Sequence, residues 1–205
     1  VTPTFTSGGI TNIGDVISFT ITVNPTAQVD QPVDQVVCNG ADVSVVFTTQ
    51  NTLGSTSYSW VSDIEIGAGL SGNDNMNFTA TNSSTEPILA TITVTPEFEN
   101  DGKVCVGEDK TFTITVNPTA QFDQPLDQVV CNGDSTSIVE FTTQNAGGAT
   151  TYTWTNDTPS IGLSSSGIGD ILAFTATNSS TAPIVANITV TPAFENGGNL
   201  CDGED

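Results

Sequence analysis

Four cysteines carry the most specific chemistry in this 205-residue chain: Cys38, Cys105, Cys131 and Cys201. The chain has no histidine, which excludes Ser-His-Asp and Cys-His catalytic arrangements and the usual catalytic zinc sites. An even number of cysteines in a histidine-free chain of Thr, Ser, Asn and Gly-rich composition favours disulfides over a metal site. The cysteines therefore predict disulfide bonds and an oxidising, extracellular location.

Acidic side chains are the second group with possible chemistry. They gather around one turn of each internal repeat and on the segments that join successive repeats. Calcium prefers six to eight oxygen ligands from such loops, but the chain has no Asp-x-Asp-x-Asp-Gly loop. A calcium site at the repeat junctions and a solvated acidic surface that keeps the chain soluble are therefore both open. The carboxylates concerned are Asp30, Asp34, Glu97, Glu99, Asp101, Glu108, Asp109, Asp123, Asp127, Glu195, Asp202 and Glu204.

The charge balance excludes several classes of function. Lys and Arg number 2 against 23 Asp and Glu, for a net charge of -21, so no basic surface exists for nucleic acid or for anionic lipid. No stretch approaches the roughly 18 apolar residues that a membrane span needs, and we expect no membrane insertion. Paired carboxylates serve glycoside hydrolysis, but here they lie on loops of a repeated module without a cleft. We expect no enzymatic activity.

Internal repetition sets the domain organisation. The segments 19–27 and 34–40 return letter for letter as 112–120 and 127–133, both 93 residues later. The segment 78–85 returns as 174–181, 96 residues later, so loops change length while strands do not. We expect the C-terminal strands of a preceding repeat in 1–25, a complete repeat in 26–118, and a second repeat lacking its last strand in 119–205. The chain is then a fragment of a longer array.

Alternation of apolar and polar residues predicts the strands of one repeat. Strand A is predicted within 32–37, B over 43–49, C over 57–61, E over 76–81, F over 88–95 and G over 111–116, with one irregular strand in 62–75. Seven short strands and a Tyr-x-Trp on strand C, with Trp60 and Trp154 as core residues, predict an all-β chain. Its architecture is expected to be tandem immunoglobulin-like seven-stranded β-sandwiches in an extended array.

The order of motifs carries a resemblance. Val-Cys-x-Gly, Tyr-x-Trp, Thr-Val-Thr-Pro, a cysteine-containing turn and Thr-Ile-Thr-Val-Asn-Pro follow one another in the complete repeat, and the first four return in the same order in the second. This order resembles the PKD-like repeats of Bacteroidota cell-surface adhesins, most closely those of giant gliding-motility adhesins secreted by the type IX system. The resemblance covers the whole chain. It implies a structural and adhesive filament on the cell surface that grips the substratum, with neighbouring repeats and the gliding and secretion machinery as partners and no catalytic residues.

Two other functions stay open. A carbohydrate-binding module would present a row of exposed aromatic side chains to a surface polysaccharide, and Phe5, Phe98, Phe122 and Phe194 are the candidates for exposure. The repeats would alternatively be spacer modules of a secreted polysaccharide-degrading enzyme whose catalytic domain lies elsewhere. Flanking sequence distinguishes them, because further repeats favour the adhesin and a hydrolase domain favours the enzyme.

The alternating direction of successive strands constrains which cysteines can pair. If neighbouring strands are antiparallel, the A–B turn with Cys38 and the F–G turn with Cys105 lie at opposite ends of a sandwich, about 20 Å or more apart. A disulfide needs Cα atoms within about 7 Å. A head-to-tail array instead brings Cys38 near Cys201, which predicts an inter-repeat bridge, with Cys105 and Cys131 paired to cysteines of further repeats. The alternative, Cys38–Cys105 and Cys131–Cys201, holds if the segment 62–75 between strands C and E does not cross the sandwich once.

Overall fold

A computed structural model describes residues 1–203 of the chain. The described residues form fourteen strands and one 3-10 helix, at Pro159–Ile161. Before and within the first sandwich the strands are β1 (Thr4–Ser7), β2 (Ile10–Ile13), β3 (Gln35–Cys38), β4 (Asp42–Val45), β5 (Ser55–Ser62), β6 (Ser71–Asn73), β7 (Met76–Thr79), β8 (Ile88–Asn100), β9 (Lys103–Val106) and β10 (Lys110–Asn117). The later strands are β11 (Ala149–Asn156), β12 (Ser166–Ile168), β13 (Ile188–Asn196) and β14 (Asn199–Asp202). Within this range no helix has the length and apolar character that crossing a membrane requires.

The first sandwich has two sheets. One has the strand order β3-β10-β8-β5-β6, with β9 also paired to β8, and the other pairs β4 with β7. Strand β3 runs parallel to β10, and the remaining pairs are antiparallel. Two antiparallel sheets with a first strand parallel to the last form an immunoglobulin-like β-sandwich, so the predicted all-β class and sandwich architecture are confirmed.

Alternation along the strands builds the core of this sandwich. In β8 and β10 every second side chain is buried, including Ile92, Val94 and Ile114, each 0% exposed. They pack with Val43 of β4 and Met76 of β7 in one hydrophobic cluster. Burying each aliphatic side chain of this kind stabilises the fold by about 1.5–3 kcal/mol relative to leaving it exposed. The alternation of apolar and polar residues therefore determines which face of each sheet is turned to the core.

Both tryptophans lie in the core, as predicted. Trp60 packs in the first cluster, and Trp154 packs with Tyr152 and Phe141 in a second, separate one. The six-membered ring of each indole covers a glycine of the next strand, because a Cβ on Gly72 or Gly167 would approach the ring to 2.4 and 2.2 Å respectively. The strand after Tyr-x-Trp therefore requires glycine opposite the tryptophan.

The second sandwich repeats half of this topology in regular strands. Its sheet has the order β12-β11-β13-β14, which corresponds to β6-β5-β8-β9. The facing layer is joined by two isolated bridges, Ser135 to Thr175 and Val139 to Ile171. Within residues 1–203 no strand lies beside 128–131 as β10 lies beside β3, and Val129 is 99% exposed.

The predicted F strand and F–G turn need correction. Strand β8 continues past residue 95 to Asn100, turns through Asp101 and Gly102, and returns as β9. Both turn residues have positive φ, 50° and 71°, as a two-residue hairpin with the twist of its strands requires. Cys105 therefore lies in a strand and not in a turn. The same hairpin recurs as β1–β2 and as β13–β14.

Candidate functional site

The linker between the two sandwiches is held on both sides. It consists of Asn117, Pro118, Thr119 and Ala120; Asn117 and Pro118 are fully buried and Ala120 is 3% exposed. The Thr119 hydroxyl accepts a hydrogen bond from Asn39 Nδ2 at 2.9 Å, and its carbonyl accepts one from Asn145 Nδ2 at 3.2 Å. Asn39 belongs to the first sandwich and Asn145 to the second, so the linker is clamped between them rather than free to bend.

A hairpin of the second sandwich reaches back onto the first. Asn196, the last residue of β13, donates from Nδ2 to Asn117 Oδ1 at 2.9 Å, and Asn117 Nδ2 donates to the Asn196 carbonyl at 3.0 Å. Asn199 Nδ2 donates to the carbonyl of Val36 in β3 at 3.1 Å. Because Asn117 is 0% exposed, its amide depends on this partner to satisfy a buried polar group.

A disulfide covers the same contact. Cys38, the last residue of β3, is bonded to Cys201 of β14, with 5.5 Å between their Cα atoms. Cys38 is level with Asn117 at the end of the parallel pair of β3 and β10, whereas Cys105 pairs with Phe98 beside the hairpin at the far end. The bond is therefore the inter-repeat one, and the within-repeat pairs Cys38–Cys105 and Cys131–Cys201 are not formed. Cys105 and Cys131 carry free thiols here, and their pairing to further repeats stays a prediction.

Two loops make a third contact across the junction. The Ala146 backbone N–H donates to the Thr85 carbonyl at 2.9 Å, and Asn145 Nδ2 lies 3.4 Å from the same oxygen. Gly147, at φ 76°, lies against Pro87, where an added Cβ would come within 2.8 Å of the Pro87 Cδ. The sandwiches thus meet at the hairpin, the linker and this loop pair.

The asparagine pair recurs at the start of the chain. Asn24 and Asn100 lie 93 and 96 residues before Asn117 and Asn196, and they exchange the same two hydrogen bonds, at 3.2 and 2.9 Å. Sequence reasoning missed both pairs. The signal was present, because Asn-Pro returns in each linker and an asparagine precedes the β8–β9 and β13–β14 hairpin turns. The recurrence indicates that this junction is a repeated device.

We expect Asn117→Ala to weaken the junction. The substitution leaves the Asn196 amide facing a buried surface without its partner, which typically costs about 1–3 kcal/mol. The measurement is the free energy of unfolding by urea. Asn24→Ala is the matched control, since it removes the equivalent pair where residues 1–25 form no sandwich, and it should cost much less. Equal losses from the two variants would contradict the role of Asn117.

Two of the predicted carboxylates have a defined hydrogen-bonding role. Asp30 accepts from the Thr48 hydroxyl at 2.7 Å and from Gln50 Nε2 at 3.2 Å. In the second sandwich Asp123 accepts in the same way from Thr142 and Gln144. The threonine bond and then the glutamine bond lower the pKa of both carboxyls below the ordinary value of 3.8. These carboxylates tie the first residues of each repeat to the segments 48–50 and 142–144.

The other acidic residues do not gather into one site. Asp34 accepts from the Thr113 backbone N–H at 2.7 Å, and Asp109 accepts from the Thr95 hydroxyl at 2.6 Å. In residues 1–203 no three carboxylate or thiol side chains converge as a set able to hold a metal ion. Calcium at the junctions stays a prediction. Exposed positions are occupied by Glu97, Glu99, Asp101, Glu108, Asp127, Glu195 and Asp202, while Glu204 lies outside the described residues.

The lowered pKa of Asp123 predicts a pH-dependent contribution. Because the folded pKa lies below the unfolded one, the carboxylate stabilises the fold at pH values above about 4, and this contribution is lost as the pH falls through the folded pKa. Asp123→Asn should therefore lower the melting temperature at pH 7, and its difference from the unaltered chain should shrink as the pH falls through the folded pKa. Asp127→Asn removes the same charge from an exposed position and serves as the control. A difference that persists unchanged at low pH would contradict the assignment.

The aromatic row expected of a carbohydrate-binding module is not formed. Phe98 is 1% exposed and Phe194 is 0% exposed, and Phe122 packs edge-on against Phe141 with ring centroids 6.4 Å apart. Of the four candidates only Phe5 is exposed, at 68%. The expectation of exposure was wrong for Phe98 and Phe194, because β8 and β13 continue past their prolines and alternation turns both rings inward.

Comparisons with known proteins give distant structural similarities alone. The sequence matches no protein-family model and no curated protein. Among solved structures, a chain from the complex of the Dpr11 first immunoglobulin domain with DIP-gamma is 10% identical, with a TM-score of 0.39 over 87% of this chain and 96% of that one. The insect immune protein hemolin is 12% identical, with a TM-score of 0.33 over 98% of this chain and 54% of that one. Bacteroides ovatus SGBP-B, in complex with a mixed-linkage heptasaccharide, is 15% identical, with a TM-score of 0.29 over 89% of this chain and 44% of that one. The immunoglobulin-like assignment of this chain rests on its own strand pairing.

Proposed function

We propose that the chain is part of a structural and adhesive stalk, a tandem array whose repeats are joined rigidly head to tail. The observation that carries this proposal is the junction. A buried linker, a reciprocal asparagine pair and the Cys38–Cys201 bond fix one sandwich on the next. A spacer that only tethers two modules needs none of these contacts, since a short flexible linker suffices.

Composition supports an extracellular, cell-surface location. Disulfides persist in oxidising compartments, and a net charge of -21 makes the repeats repel one another and keeps a long array soluble. The resemblance to PKD-like repeats of Bacteroidota adhesins extends the proposal to gliding motility, type IX secretion and attachment to a substratum. The repeats then hold a binding tip away from the cell.

Carbohydrate binding and a spacer role in a polysaccharide-degrading enzyme have less support. A flat sugar-binding platform needs exposed rings side by side, and Phe98 and Phe194 are in the core. A spacer role does not require a rigid junction, whereas the contacts observed at the junction favour a rigid one. The function is therefore proposed as mechanical and positional.

Small-angle scattering of the chain tests the stalk. A compact single domain of this length would have a radius of gyration of about 17 Å. Two sandwiches joined end to end, each about 35–40 Å long, should give a clearly larger value and a maximum dimension of about 70–80 Å or more. The curve should also stay the same over a range of salt, because the junction is rigid. A compact particle, or an ensemble that widens as salt is lowered, would exclude the proposal.

A further inference from the structure

We propose that the Cys38–Cys201 bond makes the array inextensible, so that tension along the stalk bypasses the sandwich cores. The inference rests on the proposed stalk function. The bond joins residues 163 apart in sequence, and the inward residues of β4, β5, β7, β8 and β10 and of β11 and β13 lie inside that covalent loop. Force applied at the two ends of the chain is carried across the bond and does not pull these strands apart.

The consequence is a limit on length. In an array without the bond, each repeat that unfolds under tension releases about 90 residues, or about 300 Å of extended chain at roughly 3.3–3.6 Å per residue. With the bond, strands inside the loop can lose their pairing, but their residues add nothing to the distance between the ends. Unfolding then no longer lengthens the stalk.

The position of the bond suits it to this task. Cys38 ends β3, which lies parallel to β10 over four paired residues, and Cys201 lies in β14 two residues after Asn199, whose amide contacts β3. The bond therefore lies at the point where the contact surface of the two sandwiches would first open under tension. Load passes from β3 into β14 through covalent bonds before the hydrogen bonds of the junction are sheared.

The free cysteines extend the argument along an array. Cys105 and Cys131 occupy the positions that Cys201 and Cys38 occupy one repeat away. Where both are bonded to flanking repeats, the shortest covalent path between them is the 26 residues through β10, the linker and 121–131. Fully extended, this path reaches at most about 90 Å, against about 70–80 Å for two folded sandwiches. The overlapping loops then leave little slack to release.

Single-molecule force extension of the whole chain tests the inference. Handles are attached at both ends, and the chain is pulled to full extension with and without reducing agent. The oxidised chain should be shorter than the reduced chain by the 163 enclosed residues, about 590 Å. Hidden lengths of about 240–250 Å would reveal a within-repeat bond, Cys38–Cys105 or Cys131–Cys201, and would overturn the proposal. Equal lengths under both conditions would do the same.

Two variants complete the test. Cys105→Ser with Cys131→Ser should keep the full hidden length, since neither residue takes part in the bond, and should prevent exchange between thiols. Cys38→Ser should remove the hidden length under both conditions. This measurement is independent of the scattering test of the stalk proposal. A compact particle by scattering whose oxidised chain is still shorter by 163 residues would contradict the stalk function but support the limit that the disulfide sets on extension. An extended particle without hidden length would leave the stalk and remove the limit.

Discussion

Replacing Cys38 by serine should lower the melting temperature of the second sandwich by about 8 °C or more. The bond to Cys201 closes a loop of 163 residues, and a disulfide restricts the unfolded chain by about 2–5 kcal/mol, more for longer loops. In a domain of about 90 residues each kcal/mol shifts the melting temperature by about 4–8 °C. The second sandwich should respond most, because its facing layer is held by isolated bridges.

The measurement is calorimetry under non-reducing conditions, with the two sandwiches followed as separate transitions. Cys131→Ser is the matched control, because it removes an exposed thiol at the position equivalent to Cys38 and breaks no bond. Its melting temperature should equal that of the unaltered chain. A loss of the same size in both variants would mean that the thiols matter for packing and that the bond contributes little.

The positions of the strands could be predicted from the sequence because burial follows alternation. Predicted strands C, E and G are within two residues of β5, β7 and β10 at each end. The end of strand F was placed too early, since proline normally ends a strand. Pro96 is tolerated because its nitrogen, which has no hydrogen to donate, faces residues 107–109. These residues lie between β9 and β10, where neither strand pairs with β8, and only the Gly107 N–H donates to the Pro96 carbonyl.

The pairing of Cys38 with Cys201 could be argued from strand direction alone, because parity fixes which end of a sandwich each turn occupies. The contacts that surround the bond could not. The Asn117–Asn196 pair and the approach of Gly147 to Pro87 depend on how two finished sandwiches dock. No periodicity within one repeat encodes such a contact; only the return of the same asparagines in each repeat points to it.

Phe98→Ala should destabilise the first sandwich by about 3–5 kcal/mol, the usual cost of removing a buried phenylalanine ring. The ring is 1% exposed and lies under the backbone of Gly54, where an added Cβ would come within 2.3 Å of its Cζ. No small shift of the strands fills the resulting cavity, because β8 is paired on both sides at this point. Urea unfolding followed by Trp60 fluorescence, with Trp154→Phe in both chains compared, measures the change.

Phe5→Ala is the matched control for this substitution. Comparing the two variants also distinguishes the stalk function from carbohydrate binding. Phe5 has the same position in the preceding hairpin but is 68% exposed, so its loss should change stability by less than about 0.5 kcal/mol. Phe98 is a better choice than Phe194, which is paired across the hairpin with Cys201, so that its substitution would disturb the disulfide as well.

If Phe98 were part of a sugar-binding platform, Phe98→Ala would reduce retention on polysaccharide and leave the unfolding free energy unchanged. A buried ring in a mechanical module requires the opposite result, because stability falls while retention, measured at a temperature where both variants are folded, stays the same.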